Sequence, residues 1–283
     1  KSLGIDPIPF KTCNWNCVYC QLGRTSPLVH ERREYAPAQQ IVAEVDAAVA
    51  HHPAGEIDWI TFVGSGEPTL HSRLGWMLEQ VKLKHELPVA VITNGSLLGL
   101  KSVRRELSAA DAVLPSLDGG SEKVFLTINR PHVSLSFSDH LEGLVRFRQE
   151  YKGKLWVEVM LISGRNDSEQ ALSDLAAALK RIQPDQIHLN LPVRPPCEPW
   201  VKPPADDKLM QAVAILGDVA RVVHPVEGDF CLDGFEDVVD AILAVISRHP
   251  MRQAELITKL NRWSPDEVGD ALVRLQQSGR AQI

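Results

Sequence analysis

Between residues 13 and 20 the chain places three thiols within eight positions, Cys13-Asn14-Trp15-Asn16-Cys17-Val18-Tyr19-Cys20, approached through Asp6-Pro7-Ile8-Pro9-Phe10-Lys11-Thr12. Prolines at 7 and 9 break regular structure, so the cysteines sit on an irregular loop that can wrap around one metal centre. Thiolates suit zinc or an iron–sulfur cluster, and the ligand count separates the two. A structural zinc site closes four ligands, and the nearest fourth candidate here is the lone His30. A disulfide framework fits worse, because five cysteines is an odd number and 283 residues need no staples. A cubane cluster on three cysteines leaves one iron without a protein ligand, which suits a centre that binds a substrate at the metal.

The rest of the composition narrows the setting. A 283-residue chain with 44% hydrophobic residues can bury a large core, which excludes disorder and suits one large α/β domain with a small appendage. The net charge of -6 argues against a generic polyanion-binding surface without excluding RNA in a local basic groove. No apolar run reaches the ~18 residues that cross a bilayer, and no charged-then-apolar leader opens the chain. With thiols that an oxidising compartment would threaten, the expectation is a cytoplasmic protein without a membrane partner. The chain opens on Lys1, twelve residues before the cysteine loop, and a short preceding segment is expected.

Strand-like and helix-like stretches alternate along residues 1–228. Leu3-Gly4-Ile5-Asp6 reads as a strand, Ala36-Pro37 opens a helix, and Ile57 to Val63 is the next strand. Further strands are expected over Pro88–Thr93, Ala112–Leu117, Lys154–Ile162 and Gln186–Leu191, with helices between them. Alternation at roughly thirty-residue intervals implies a parallel sheet, here a partial (β/α)6 TIM-like barrel. In such folds the loops after the strands converge on one mouth, where Cys13–Cys20, Gly64–Glu67, Asn94, Asp118, Asn166 and Asn190 all fall.

Gly64-Ser65-Gly66-Glu67-Pro68-Thr69-Leu70 follows a strand and opens a helix, so its backbone can approach a ligand closely. Thr93-Asn94-Gly95, Ser116-Leu117-Asp118 and Gly164-Arg165-Asn166-Asp167 also close strands, although each reads equally as a tight turn. Glu158 lies inside the fifth strand, facing the lumen or the helices according to parity. Arg130, within Asn129-Arg130-Pro131-His132, and Arg194 are candidates to clamp a substrate carboxylate or phosphate, with Asn190 beside them. Cys197, in a proline-rich loop, reads more readily as an incidental thiol.

The cysteine spacing, with Tyr19 just before the last thiol, resembles the cluster loop of the radical S-adenosylmethionine (SAM) superfamily. The resemblance implies a [4Fe-4S] cluster on Cys13, Cys17 and Cys20, with SAM's amino and carboxylate groups on the open iron and Tyr19 near adenine. Gly64-Ser65-Gly66-Glu67 resembles that family's glycine-glycine-glutamate element, with serine in place of the first glycine of the pair. It implies carbonyls of Gly64, Ser65 and Gly66 toward the SAM amino group, supported by Glu67. Thr93, Asn94, Ser116 and Asp118 would face ribose or carboxylate, and Asn166 the adenine. Together with Leu3-Gly4-Ile5-Asp6-Pro7, Gln21-Leu22-Gly23, Ile128 to His132 and Asn190 to Pro196, these stretches look like a group related to the tRNA wyosine-base synthases, over roughly residues 1 to 200. That group carries a second cluster, whereas only Cys197 and Cys231 lie outside this loop, which puts wyosine chemistry in doubt unless a preceding segment supplies further cysteines.

Residues 229–283 change character. Helices are expected over Val238–Ile246 and Met251–Leu260, then a third capped by Ser264-Pro265-Asp266-Glu267, with a terminal strand from Gly279 to Ile283; the order looks like a winged helix. Seven acidic against six basic side chains from Phe235 onward leave protein docking or a lid as open as nucleic-acid reading. The leading expectation is an enzyme that cleaves SAM reductively with electrons from a flavodoxin- or ferredoxin-type donor and takes hydrogen from an RNA base, a peptide or protein residue, or a metabolite. An activase that installs a glycyl radical on a partner is a second enzyme class. A metal- or iron–sulfur-responsive regulator with a winged-helix reader is the non-enzyme alternative.

Overall fold

The computed structural model of the protein describes residues 1–223, 235–248 and 251–281. Seven strands pair in parallel in chain order: β1 (Ser2–Ile5), β2 (Trp59–Phe62), β3 (Val89–Thr93), β4 (Ala112–Pro115), β5 (Lys154–Met160), β6 (Gln186–Asn190) and β7 (Ala220–Val222). A sheet that never reverses its order is wound from successive β/α units in one direction, unlike a doubly wound sheet with its switch point. Six strands were expected. The seventh, Ala220-Arg221-Val222, is three residues long with an exposed arginine at its centre, too short and too mixed to show a strand period.

Between the strands run α1 (Ala38–His51), α2 (Leu74–Lys84), α3 (Lys101–Leu107), α4 (Glu122–Ile128), α5 (Phe137–Glu150), α6 (Glu169–Ile182) and α7 (Asp206–Leu216). Helix α6 illustrates why they form where they do. Ser168 accepts from the Ala171 amide at the start, Gln183 turns left-handed at the end, and Leu172, Leu175, Leu179 and Ile182 bury one stripe.

Alternate strand residues serve different faces. Leu155, Val157 and Val159 of β5 enter the main core with Phe62, Val91, Val113, Leu189 and the helices. The opposite face carries a smaller cluster of Ala90, Ala112 and Leu114, with Trp59 and Trp156 packed against it. Glu158 shares parity with Trp156, so its side chain belongs to that inner face, away from the helices.

The remaining helices, α8 (Val238–Arg248), α9 (Gln253–Lys259) and α10 (Pro265–Gln277), enclose a cluster of their own around Ile242, Leu260 and Leu272. The expected cap is there, with Ser264 and Glu267 bonded reciprocally and Pro265 in the first turn. The three helices follow the expected order, while the terminal strand of a winged helix is not seen among the described residues. Gly279 and Arg280 form a turn rather than a strand, because their amides bond back to Gln276 and Leu275, and residues 282 and 283 lie outside the described ones. The expected domain boundary at 228/229 and Cys231 also lie outside them.

Phe147 of α5 is fully buried and stacks on Tyr151 with ring centroids 4.7 Å apart. Phe147→Ala is expected to cost about 3–5 kcal/mol in a urea titration, and a loss below ~1 kcal/mol would contradict this packing.

Candidate active site

The 32 residues between β1 and α1 contain no helix or strand of their own, so other elements must hold them. From α4 and the turn after it, the Ile128 carbonyl accepts from the Val18 amide at 2.9 Å and the Asn129 carbonyl from Asn16 at 3.0 Å. His132 donates its backbone N–H to the Asn14 carbonyl at 2.8 Å. Trp15 and Val18 are buried beneath the loop. From the segment after β6, Glu198 donates its backbone N–H to the Val18 carbonyl at 3.0 Å.

Two buried carboxylates knit the strand ends together. Glu67, 1% exposed, accepts from the Thr69 amide (3.0 Å) and hydroxyl (2.5 Å), the Thr93 hydroxyl (2.5 Å) and the Asn94 amide (2.6 Å). Asp118, 2% exposed, accepts from the Tyr19 hydroxyl (2.7 Å), the Asn129 side-chain amide (2.5 Å) and the Met160 N–H (2.8 Å). Burial pushes both carboxyls upward, and these hydrogen bonds pull against it. Behind Asp118, the Asn166 amide donates to the Asp118 and Met160 carbonyls and its oxygen accepts from Ile162.

The turn after β2 is pressed against the cysteine loop. Ser65 gives its hydroxyl to Asp6 at 2.6 Å, and its carbonyl accepts from the Lys11 N–H at 2.6 Å. Glu67 donates its N–H to the Thr12 carbonyl. A Cβ on Gly66 would stand 1.9 Å from that carbonyl oxygen, so only glycine allows the approach.

Each cysteine sulfur meets a side-chain N–H. Asn94 reaches Cys13 Sγ at 3.8 Å, Asn129 reaches Cys17 Sγ at 3.8 Å, and Lys11 Nζ reaches Cys20 Sγ at 3.1 Å. The Trp15 amide adds a second donor to Cys13 at 3.4 Å. Burial pushes the Cys13 thiol up to about 12, with the Glu67 charge adding to it, and burial with Asp118 pushes Cys17 up as well. Three sulfurs that each face an N–H donor match thiolates neutralised by bound iron.

The expected residues therefore separate. Cys13, Cys17, Cys20, Tyr19, Gly64, Ser65, Gly66, Glu67, Asn94 and Asp118 lie on the loop or against it, while Thr93 and Asn166 reach it only through Glu67 and Asp118; Glu67, Thr93, Asp118 and Asn166 are buried braces held by their neighbours. On the inner face, Ser116 pairs with Glu158 across β4 and β5, and Asn190 donates to Glu158 Oε1 at 3.2 Å. Burial first, then the Asp118 charge, pushes Glu158 up to about 7. Arg130 and Arg194 do not point at one shared anion. Arg130, with a left-handed φ of 47°, pairs with Glu198 at 2.6 Å, and Arg194 donates to Gln21 at 2.9 Å. Lys11, Asn14, Asn129 and Glu198 were missed as site residues. Only their neighbourhood to cysteines or to a quoted motif marks them in the sequence.

A profile of the radical SAM superfamily matches residues 8–176, which span every element just described from the cysteine loop to α6. The chain belongs to the radical SAM superfamily. It is also in one family with the UPF0026 protein of Methanocaldococcus jannaschii, 36% identical over 267 residues that cover 93% of this chain and 83% of that one. A Brachyspira hyodysenteriae protein named GTPase Obg is 33% identical over 99% of this chain, which spans 41% of its length. The crystal structure of Streptococcus suis SuiB bound to S-adenosylmethionine shares the fold, with a TM-score of 0.57 and 16% identity over 83% of this chain and 52% of that one. Superfamily membership implies a [4Fe-4S] cluster and SAM, and the thiols and their donors fit such a cluster. Among the described residues no helix is long and apolar enough to cross a membrane.

Two outcomes follow from this geometry. Gly66→Ala is expected to displace the Thr12 carbonyl and lower the iron bound per chain after anaerobic reconstitution, with wild-type iron content as the contradicting result. Glu158 stays protonated in the fold up to about pH 7 but ionises near 4.5 when unfolded, so stability should fall as pH rises through that window. Glu158→Gln should flatten the slope, by up to about 3 kcal/mol across it. Parallel pH–stability curves for the two proteins would refute this.

Proposed function

We propose that the protein is a radical SAM enzyme in which Cys13, Cys17 and Cys20 hold a [4Fe-4S] cluster and leave one iron for the amino and carboxylate groups of SAM. The observation that carries this reading is the trio of sulfurs, each met by a donor from a different segment: Asn94 after β3, Asn129 after α4, and Lys11 ahead of the cysteines. When bound, the reduced cluster and SAM supply a 5′-deoxyadenosyl radical that takes hydrogen from the substrate.

The chain's own residues supply placement. Glu67 fixes the turn after β2 against the end of β3, so that backbone groups of Gly64 and Gly66 would meet SAM from fixed positions, while Asn94 and the Ser65 carbonyl brace the cysteine loop. Asp118 holds the Tyr19 hydroxyl and so fixes the ring, which would stand beside SAM when it is bound. Trp59 and Trp156 pack with Ala90, Ala112 and Leu114 on the same inner face as the half-buried polar layer of Ser116, Glu158 and Asn190. That layer is the substrate-facing wall in this reading. The substrate class extends over an RNA base, a peptide or protein residue, and a small metabolite. The narrower likeness to wyosine-base synthases rests on sequence motifs, and the pair Cys197 and Cys231 falls short of a second all-cysteine cluster. A flavodoxin- or ferredoxin-type donor in the cytoplasm fits the electron requirement.

Anaerobic reconstitution should yield about four iron and four sulfide per chain, and dithionite with SAM should release 5′-deoxyadenosine. Cys17→Ala should abolish both. A stoichiometric zinc ion with no 5′-deoxyadenosine formed would overturn the assignment.

A further inference from the structure

Lys11 is where the cysteine loop departs from a neutral second layer. Asn94 and Asn129 meet Cys13 and Cys17 as neutral amides at 3.8 Å, whereas Lys11 places an ammonium 3.1 Å from Cys20 Sγ. The carboxylates of the site have donors of their own. Asp6 accepts from Ser65, Glu67 from Thr69, Thr93 and Asn94, and Asp118 from Tyr19, Asn129 and Met160.

The backbone at this residue carries a second observation. Lys11 has φ 58°, a left-handed conformation in which glycine or asparagine sits more cheaply than a long side chain. Its N–H is held by the Ser65 carbonyl at 2.6 Å, and the next residue, Thr12, donates to the Pro9 carbonyl at 3.0 Å. A strained position occupied by lysine rather than glycine keeps a side chain that the turn alone does not require.

We propose that Lys11 is a fixed positive charge that raises the reduction potential of the cluster through the Cys20 sulfur. The inference rests on the three-cysteine cluster proposed above. Reduction adds one negative charge to a centre already ringed by thiolates, and a half-buried ammonium at hydrogen-bond distance favours the reduced form more than the oxidised one. A neutral amide donor does the same more weakly. The charge therefore stands at the Cys20 corner, and it eases delivery of an electron to a centre that must be reduced before SAM is cleaved.

The test compares reconstituted wild-type, Lys11→Met and Lys11→Arg proteins, with iron and sulfide counted, in redox titrations followed by the electron paramagnetic resonance signal of the reduced cluster. Lys11→Met should lower the ratio of reduced to oxidised cluster at a fixed potential about tenfold, which is ~59 mV for a one-electron couple. Lys11→Arg, which keeps the charge, should return most of the way to the wild-type midpoint. An unchanged midpoint in Lys11→Met with a full cluster overturns the inference and leaves the cluster assignment standing. Loss of the cluster from Lys11→Met alone also overturns it, by making Lys11 an anchor. Failure of the wild-type protein to form any cluster would instead remove the reading on which the inference rests.

Discussion

A carboxylate sealed at the end of β4 governs the placement of the cysteine loop. Asp118 gathers the Tyr19 hydroxyl, the Asn129 amide and the Met160 N–H, and Asn129 in turn reaches Cys17. Removing a partner from such a network leaves a buried polar group unsatisfied, which costs more than the bond itself gains. The loop has no hydrogen-bond ladder of its own, so it takes its shape from this residue and from Glu67 on the neighbouring strand ends. Chemistry at the loop is thereby coupled to the rigidity of the sheet.

The two carboxylates divide the work. Glu67 locks β2 to β3 and presses the glycine turn on Thr12, while Asp118 locks β4 to β5 and to Tyr19. Between them Asn94 bonds both Asn14 and Cys13. Side chains that motif reading places against SAM thus serve largely as the frame, and the groups left for ligands are backbone atoms of the turns and the inner-face layer of Ser116, Glu158 and Asn190. A frame of charged groups held by full hydrogen bonding resists rearrangement when a ligand enters.

The parallel β/α order was legible because apolar strands and amphipathic helices alternate with turn residues at their ends, and the cysteine spacing marked the loop that the strand-end turns press against. Other features were hidden for physical reasons. Strand β7 is shorter than any period can reveal. The inner-face position of Glu158 follows from strand register, which a continuous run such as Trp156-Val157-Glu158-Val159-Met160 does not define by itself. Arg130 resembles a substrate clamp in isolation, yet it spends its charge on Glu198, sixty-eight residues away. The last helices match a winged helix in order, but residues 279–281 turn back on α10.

The mechanism proposed here depends on the corner of the cluster that three cysteines leave for SAM. Its most direct measurement is electron–nuclear double resonance on the reduced reconstituted protein with SAM labelled at the amino nitrogen and carboxylate. Coupling of those nuclei to the cluster spin, of a size that requires bonding to iron, is the predicted result. A cluster signal that shows no such coupling with SAM at saturation would contradict the account.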